Sequence, residues 1–273
     1  MKRSSSKQSL ALGVFDSGLG GLTIVRHIQQ VLPQESIVYF GDLAHLPYGT
    51  KSNEQIRCFS LNNTRFLLKR KVKAIVVACN SSASSAGKLL RSTFSLPIVD
   101  VIQPAAQDAV SRTKLGRIGV IATQATIDSG AYPQAIHGIR KTLKVFSKAA
   151  PLLVPLVEEG WLDHPLTRQI LVHYLKDFLK KRIDVLILGC THYPLLKPLV
   201  KHIVGSKIQV VDSVSPSVAQ LKATLQTQNL LDEQKKRIGK LQITLSDRPR
   251  NFIRIGSRFL GRKIKKVEVV RIA

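Results

Sequence analysis

Short apolar runs alternate with longer segments of helical spacing along most of this chain. The apolar runs predict strands at residues 10–15, 36–40, 73–79, 97–102, 116–121, 151–157, 184–190 and 208–211. Apolar residues spaced three and four apart predict helices at residues 22–31, 53–71, 84–94 and 166–182. Short buried strands separated by helices are typical of parallel sheets that are covered on both faces. The pattern therefore predicts an α/β fold of doubly wound parallel sheets, with a change to a second unit near residues 103–104.

Polar or reactive side chains follow most of the predicted strands. The residues at these positions are Asp16, Ser17, Asp42, Cys79, Asn80, Thr123, Glu158, Cys190, Thr191 and His192. In open parallel sheets, ligands bind at the carboxyl ends of the strands. If two such units face each other, these side chains gather in one cleft between them.

Two of these residues, Cys79 and Cys190, sit in similar local sequences. Each closes an apolar strand that follows an amphipathic helix, and each precedes polar residues. A thiol has an unperturbed pKa of roughly 8.5, which a helix N-terminus or a nearby histidinium lowers. Two such groups on opposite faces of a planar carbanion can remove a proton from one side and return one from the other, which inverts a stereocentre. In that scheme Asp16 would assist Cys79, and His192 would assist Cys190.

Other functions fit parts of the same pattern. The segment 18–23, Gly-x-Gly-x-x-Thr, follows a strand and precedes Asp42, which imitates a dinucleotide-binding fingerprint but leaves both cysteines unexplained. The two cysteines could instead join His192 as ligands of a catalytic zinc ion. Asp16 and Ser17 also fit a purely structural role, because such residues commonly cap the N-terminus of a helix.

The charge of the chain is strongly positive. It has 42 Lys and Arg residues against 17 Asp and Glu residues, which gives a formal net charge of +25. Such a field can attract nucleic acid or draw a small anionic substrate into a cleft. The basic residues are spread along the chain, aromatic residues make up only 5%, and no zinc-finger, RNP or KH pattern is present. This distribution argues against a dedicated nucleic-acid module, and contact with nucleic acid is retained as a secondary property.

The cysteine content and the apolar runs bear on the compartment. Three cysteines without close spacing argue against a disulfide framework in a chain of 273 residues, and Cys58 within a predicted helix is interpreted as structural. No apolar run approaches the roughly 18–20 residues that span a bilayer. The first residues lack the apolar stretch of a signal peptide. We therefore expect a cytoplasmic protein without membrane contact.

Five motifs carry a resemblance to a known family. They are Asp16-Ser-Gly-Leu-Gly-Gly21, Gly41-Asp42 with Pro47-Tyr48-Gly49, Ala78-Cys79-Asn80, Pro155-Leu-Val-Glu-Glu-Gly160 and Gly189-Cys-Thr-His-Tyr-Pro-Leu195. In this order, over about residues 11–215, they resemble the glutamate racemases. The sequence departs from the usual pattern of that family at Leu43, His45, Ser81 and Ala122.

The resemblance implies two α/β domains with a buried active site at their interface. The first domain would be discontinuous, with residues 1–101 and 211–273, and the second would span residues 102–210. The resemblance further implies racemisation of L-glutamate to D-glutamate by two bases, without cofactor or metal, for peptidoglycan biosynthesis. Aspartate racemase is the alternative within the superfamily, although the Cys-Thr-His and Pro-Tyr-Gly segments favour glutamate. The expected binding partner is glutamate itself, and formation of a homodimer is considered possible.

The resemblance also assigns roles to individual residues. Cys79 is expected to act on D-glutamate and Cys190 on L-glutamate, with Asp16 and His192 as their respective assistants. Hydroxyls and amides can hold a carboxylate without a permanent ion pair, which allows its release. The residues expected to bind the substrate are Asp16, Ser17, Tyr48, Gly49, Asn80, Ser81, Thr123, Thr126, Glu158, Thr191 and His192.

Overall fold

The computed structural model describes residues 7–234 and 238–271, which form two parallel sheets with helices between their strands. The strands are β1 (Leu12–Asp16), β2 (Ile37–Gly41), β3 (Ala74–Val77), β4 (Ile98–Asp100), β5 (Arg117–Ala122), β6 (Lys144–Ala149), β7 (Val185–Gly189), β8 (Gln209–Asp212), β9 (Leu241–Leu245) and β10 (Glu268–Val269). The six-stranded sheet has the order β10-β9-β2-β1-β3-β4, and the four-stranded sheet has the order β6-β5-β7-β8. Every strand pair in both sheets is parallel, which confirms the predicted fold class of two α/β domains.

Eleven α-helices connect these strands within the described residues. They are α1 (Leu22–Val31), α2 (Asn53–Lys69), α3 (Asn80–Thr93), α4 (Ile102–Arg112), α5 (Gln124–Asp128), α6 (Ala131–Ile139), α7 (Leu153–Glu158), α8 (Pro165–Lys180), α9 (Lys197–Val204), α10 (Val214–Thr227) and α11 (Phe252–Leu260). Short 3-10 helices occupy residues 7–9, 43–45, 48–50 and 193–196. In the part of the chain that the structure describes, no helix combines the length and the apolar character needed to cross a membrane.

The central strands are buried on both faces. All residues of β1, β2, β3 and β7 are buried, and one hydrophobic cluster extends through both domains. Covering a parallel sheet with helices on both sides removes every strand residue from water, so these strands are apolar runs rather than alternating sequences. This burial explains why the apolar runs in the sequence located the central strands.

The segment 151–157 was predicted as a strand, and this prediction is wrong. These residues lead into α7, and the strand that precedes it, β6, was not predicted. β6 is an edge strand with half-buried and exposed residues, including Lys144 and Lys148, so it lacks an apolar run. Pro155 lies in the first turn of α7, where a proline is tolerated because the first backbone N–H groups have no partner within the helix.

The segment 208–211 was predicted to return toward the first domain. The structure confirms the strand, but β8 pairs with β7 and so belongs to the four-stranded sheet. The chain returns to the first domain through α10, which packs against α1. The predicted domain boundary between residues 210 and 211 falls within β8. The domain boundaries stay a prediction.

A buried ion pair stabilises the first domain at the amino ends of its strands. Lys73 Nζ lies 2.6 Å from Glu35 Oε2, and each side chain is only 1% exposed. Glu35 Oε1 also accepts a hydrogen bond of 2.9 Å from the Asp232 backbone N–H. Burial raises the pKa of Glu35, although Lys73 acts in the opposite direction. The carboxylate therefore depends on its lysine partner.

We predict that Lys73→Met lowers the free energy of unfolding by about 3 kcal/mol, because it leaves a buried carboxylate without its cation. The double variant Glu35→Gln/Lys73→Met should recover part of that loss, since no buried charge remains. Urea denaturation at pH 7 measures both effects. A double variant that is no more stable than the single variant would contradict this account.

Candidate active site

A cavity of about 220 Å³ lies between the two domains, at the carboxyl ends of the strands. Residues of the first domain line one side, and residues of the second domain line the other. The lining residues are Ser17, Leu46, Pro47, Tyr48, Gly49, Thr50, Cys79, Asn80, Ser81, Thr123, Gln124, Pro151, Val154, Pro155, Glu158, Cys190, Thr191 and His192. The cavity contains one buried cysteine from each domain.

Cys79 lies between β3 and α3, as the residue that precedes the first turn of the helix. Its side chain is buried, and its Sγ donates to Ser17 Oγ at 3.5 Å. Burial and the negative charge of Asp16 raise the pKa of the Cys79 thiol to about 12, despite the opposing hydrogen bonds from Ser17 and Ser82. A helix start therefore does not make this sulfur a resting thiolate, because desolvation outweighs it. Cys79 is a thiol at neutral pH.

Asp16 ends β1 and is completely buried. Its Oδ2 accepts a hydrogen bond of 2.8 Å from the Gly21 backbone N–H, which precedes α1. Its Oδ1 has no hydrogen-bond partner among the described residues. Asp16 does not line the cavity, so its effect on Cys79 is electrostatic and acts from behind it.

Cys190 follows β7 and forms a chain of polar contacts with His192 and Glu158. Cys190 Sγ lies 3.8 Å from His192 Nδ1, and His192 Nε2 lies 3.1 Å from Glu158 Oε1. Burial lowers the pKa of His192, but its hydrogen bonds to Cys190 and Glu158 outweigh this and raise the pKa to about 10. His192 is therefore an imidazolium at neutral pH. From the first domain, the Phe259 ring packs edge-on against it at 5.2 Å.

Glu158 was expected at the end of a strand, and the structure corrects this. It is the last residue of α7, the helix that occupies the segment predicted as a strand. Its side chain is about a quarter exposed, whereas that of His192 is almost fully buried. Glu158 therefore reaches the cavity from a helix end and places its carboxylate on the far side of the imidazole ring from Cys190.

A row of hydroxyl groups crosses the domain interface. Ser81 Oγ of the first domain lies 3.0 Å from Thr123 Oγ1 of the second, which lies 3.0 Å from Thr126 Oγ1. Ser81 and Thr123 line the cavity, whereas Thr126 lies behind them. Each hydroxyl can donate or accept, so the row can turn a donor toward a bound carboxylate.

The hydroxyl of Tyr48 is already committed within the protein. It donates to Asp42 Oδ2 and accepts a hydrogen bond of 3.0 Å from Asn63 Nδ2. Burial and the nearby Asp42 carboxylate raise the pKa of Tyr48, so its phenol stays neutral. At the neighbouring Gly49 the backbone of the first domain packs closely against Thr123 of the second domain, since a Cβ at Gly49 would lie 2.8 Å from Thr123 Cβ.

The alternative functions find no support in this geometry. A Cβ at Gly20 would lie 2.2 Å from Thr191 Oγ1, so the second domain fills the space where a phosphate would approach the glycine turn. Asp42 accepts from Tyr48, His45 and Ser246 and is not free to bind a ribose. Among residues 7–234 and 238–271, no group of three or more His, Cys, Asp or Glu side chains is arranged to hold a metal ion.

The structure brings most of the predicted site residues to the cavity. Asp16 and Thr126 are the two that lie behind its wall. Gln124 and Val154 also line the cavity, and neither is among the predicted site residues. Val154 lies on α7, so the prediction of a strand over residues 151–157 does not place its side chain at the cavity. The binding and catalytic roles assigned to these residues stay predictions.

Two parallel α/β domains enclose a buried thiol from each side, and the similarity to known proteins shows that the chain is an enzyme of the racemase class. The chain belongs to the Asp/Glu/Hydantoin racemase family, whose sequence profile matches residues 22–221. It is 45% identical over 262 residues to a glutamate racemase of Syntrophus aciditrophicus, and the match covers 96% of each chain. It is also similar to the crystal structure of the Francisella tularensis glutamate racemase in complex with D-glutamate. That similarity has a TM-score of 0.90 and 36% identity, over 96% of this chain and 98% of the other.

The similarity to an aspartate racemase is much weaker. The Picrophilus torridus aspartate racemase is 15% identical, with a TM-score of 0.54, and covers 81% of this chain and 98% of its own. At this level of identity the comparison indicates a shared fold alone.

We predict that His192 makes the stability of the protein depend on pH. The pKa of His192 is about 10 in the folded protein and 6.5 as the reference value, so its charged contacts stabilise the fold fully below pH 6.5. This contribution is lost as the pH rises through 10. The free energy of unfolding of the wild type should therefore fall more between pH 6.5 and pH 9.5 than that of His192→Asn. Urea denaturation at both pH values measures this, and an equal fall in both proteins would refute it.

We also predict that Gly20→Ala lowers the free energy of unfolding by about 2 kcal/mol, because the added methyl group would overlap Thr191 and His192 across the interface. Gly138→Ala is the matched control, since a Cβ at Gly138 meets no atom of residues 7–234 or 238–271 within 4 Å. Thermal unfolding of both variants measures the difference. Equal melting temperatures would show that the two domains do not approach this closely.

Proposed function

We propose that this chain interconverts L- and D-glutamate by moving the proton on the α-carbon. The observation that carries the proposal is the cavity with a buried cysteine from each domain. The similar proteins support the choice of substrate, because both are glutamate racemases and one of them was crystallised in complex with D-glutamate. Aspartate racemase is the alternative activity, and it is supported by fold alone.

In the direction from L- to D-glutamate, Cys190 acts as the base and Cys79 as the acid. The Cys190 thiolate takes the α-proton, so the C–H bond breaks, an S–H bond forms and the electron pair stays on the α-carbon. Cys79 then delivers its own proton to the opposite face, which forms the new C–H bond and inverts the centre. The pKa of about 12 suits Cys79 to this role, because it holds the proton until a strong base appears beside it.

His192 and Glu158 serve the Cys190 side of this cycle. The imidazolium faces Cys190 Sγ with Nδ1, and the Glu158 carboxylate balances its charge at Nε2. After the reaction Cys190 carries a proton and Cys79 has lost one. Release of the product and proton exchange with solvent restore the starting state. In the reverse direction Cys79 must be the thiolate. The Asp16 charge opposes that state, so the assisting role proposed for Asp16 requires its carboxylate to take up the thiol proton.

Neutral donors bind the carboxylates of the substrate in this proposal. They come from both domains: Ser17, Asn80 and Ser81 from the first, and Thr123 and Thr191 from the second. Such groups hold a carboxylate without a permanent ion pair, so the product can leave. The net charge of +25 adds a long-range attraction for an anionic amino acid.

The proposed chemistry uses side chains of this protein for both proton transfers and assigns no step to a cofactor. The product, D-glutamate, would supply peptidoglycan biosynthesis in the cytoplasm. The first test is to incubate the purified protein with L-glutamate in deuterated water, with L-aspartate in parallel. Loss of circular dichroism together with entry of deuterium at the α-carbon, seen by proton NMR, would support the proposal. No exchange with either amino acid would refute it.

We predict that Cys79→Ser and Cys190→Ser each lower the rate of racemisation by at least about 100-fold. A serine hydroxyl is a far weaker acid than a thiol, so it donates its proton poorly and is not ionised to act as a base at neutral pH. Cys58→Ser is the control, since Cys58 is exposed on α2 and should leave the rate unchanged. Circular dichroism of each variant checks that it is folded. A folded Cys79 or Cys190 variant with the wild-type rate would rule out the two-thiol mechanism.

A further inference from the structure

Tyr132 contacts both cysteine-bearing segments, although it belongs to neither. It lies on α6 of the second domain and is only 1% exposed. Its hydroxyl donates a hydrogen bond of 2.8 Å to Asn80 Oδ1. Asn80 is the first residue of α3 in the first domain and directly follows Cys79. The hydrogen bond therefore crosses the domain interface beside one of the two sulfurs.

The ring of Tyr132 packs beside the other cysteine. A Cβ added to Gly189 would lie 2.9 Å from Tyr132 Cε2, so the ring lies directly against the backbone of Gly189. Gly189 ends β7 and precedes Cys190. One side chain thus touches the residue after the first cysteine and the residue before the second.

The Asn80 carboxamide is only half satisfied. Asn80 is 2% exposed and lines the cavity, and its Nδ2 has no hydrogen-bond partner among the described residues. A carboxamide has an acceptor oxygen and a donor nitrogen, so fixing the oxygen also fixes where the nitrogen points. An unpaired buried N–H group costs free energy that a ligand acceptor would recover. The free Nδ2 therefore indicates a donor waiting for a ligand.

Tyr132 is suited to fix this orientation because its hydroxyl stays protonated. Burial raises the pKa of Tyr132, and the negative charge of Asp100 and the neighbouring Cys190 add to the effect. A protonated phenol donates to the carboxamide oxygen. If the carboxamide turned over, Nδ2 would face the hydroxyl and the phenol proton would lose its acceptor.

We propose that Tyr132 is a positioning residue, which holds the Asn80 carboxamide from the opposite domain so that Nδ2 donates to a carboxylate oxygen of the bound amino acid. The identity of the ligand rests on the proposed function. The orientation of the carboxamide rests on the contacts of Tyr132 itself. Because the ring also packs on Gly189, the orientation is linked to the position of the Cys190 segment.

The test is a double-mutant cycle with Tyr132→Phe and Asn80→Ala. Tyr132→Phe keeps the ring on Gly189 and removes only the hydroxyl. It should raise KM for glutamate about 10-fold and change kcat much less, because a misoriented donor weakens binding rather than proton transfer. In the Asn80→Ala background, Tyr132→Phe should cause no further rise, since the residue through which it acts is absent. L- and D-glutamate have equal free energies, so any variant must change kcat/KM by the same factor in both directions. The ratio alone therefore cannot separate binding from proton transfer, and KM and kcat are measured separately.

Tyr193→Phe is the matched control. Tyr193 is as deeply buried as Tyr132, and its hydroxyl donates at 2.8 Å to the Ala150 carbonyl oxygen rather than to a side chain at the cavity. It should lower the melting temperature without raising KM. If Tyr132→Phe behaves like this control, or raises KM equally with and without Asn80, the positioning role is refuted.

The cycle is repeated with glutamate binding measured by isothermal titration calorimetry, which needs binding but not turnover. A wild type that binds glutamate without racemising it would overturn the proposed function, while the coupling between Tyr132 and Asn80 would still decide the positioning role. A wild type that neither binds nor racemises glutamate would overturn both.

Discussion

The site depends on how closely the carboxyl edges of the two sheets approach each other. Glycines at 20 and 49 make this approach possible, because a Cβ at either position would lie 2.2 or 2.8 Å from an atom of the opposite domain. The contact leaves both cysteines only 5% exposed. A buried titratable group resists ionisation unless an opposite charge or a hydrogen bond is buried with it. The protonation of the Cys79 thiol is therefore controlled by its burial and by the side chains enclosed beside it.

Those side chains differ on the two sides of the cavity. Cys79 has the Asp16 carboxylate behind it, and that negative charge adds to burial in keeping the sulfur protonated. Cys190 has an imidazolium beside it, since Glu158 and the sulfur together hold the proton on His192. Two cysteines in similar local sequences thus meet opposite charges. In the proposed mechanism this difference makes Cys79 the acid and Cys190 the base when L-glutamate is converted, which is the pair that a proton exchange at a stereocentre requires.

The polar groups around the thiols divide into those that the protein uses itself and those that it leaves for a ligand. The hydroxyls of Tyr48 and Tyr132 both donate to side chains of the protein. Asn80 Nδ2 faces no acceptor in the described part of the chain. Buried tyrosines are thus part of the framework that orients the cavity, and smaller groups contact the substrate in the proposed mechanism. The hydrogen bond from Tyr132 to Asn80 crosses the domain interface. The shape of the cavity and the packing of the two domains therefore depend on each other.

The sequence by itself determined the fold class, the central strands, α1 at its observed limits and the two cysteines at strand ends, because burial and hydrophobic periodicity are local properties of each element. The sequence pattern predicted a strand where α7 lies. It did not predict β6, because this edge strand is only partly buried and lacks an apolar run. Only the tertiary structure decided that β8 joins the second sheet, that Asp16 and Thr126 stand behind the cavity, and that Glu158 meets His192. The contact between Tyr132 and Asn80 joins residues 52 positions apart. No local sequence pattern predicts this contact, because it arises from the packing of the two domains. The sequence around Tyr132 or Asn80 does not determine how the domains are placed relative to each other.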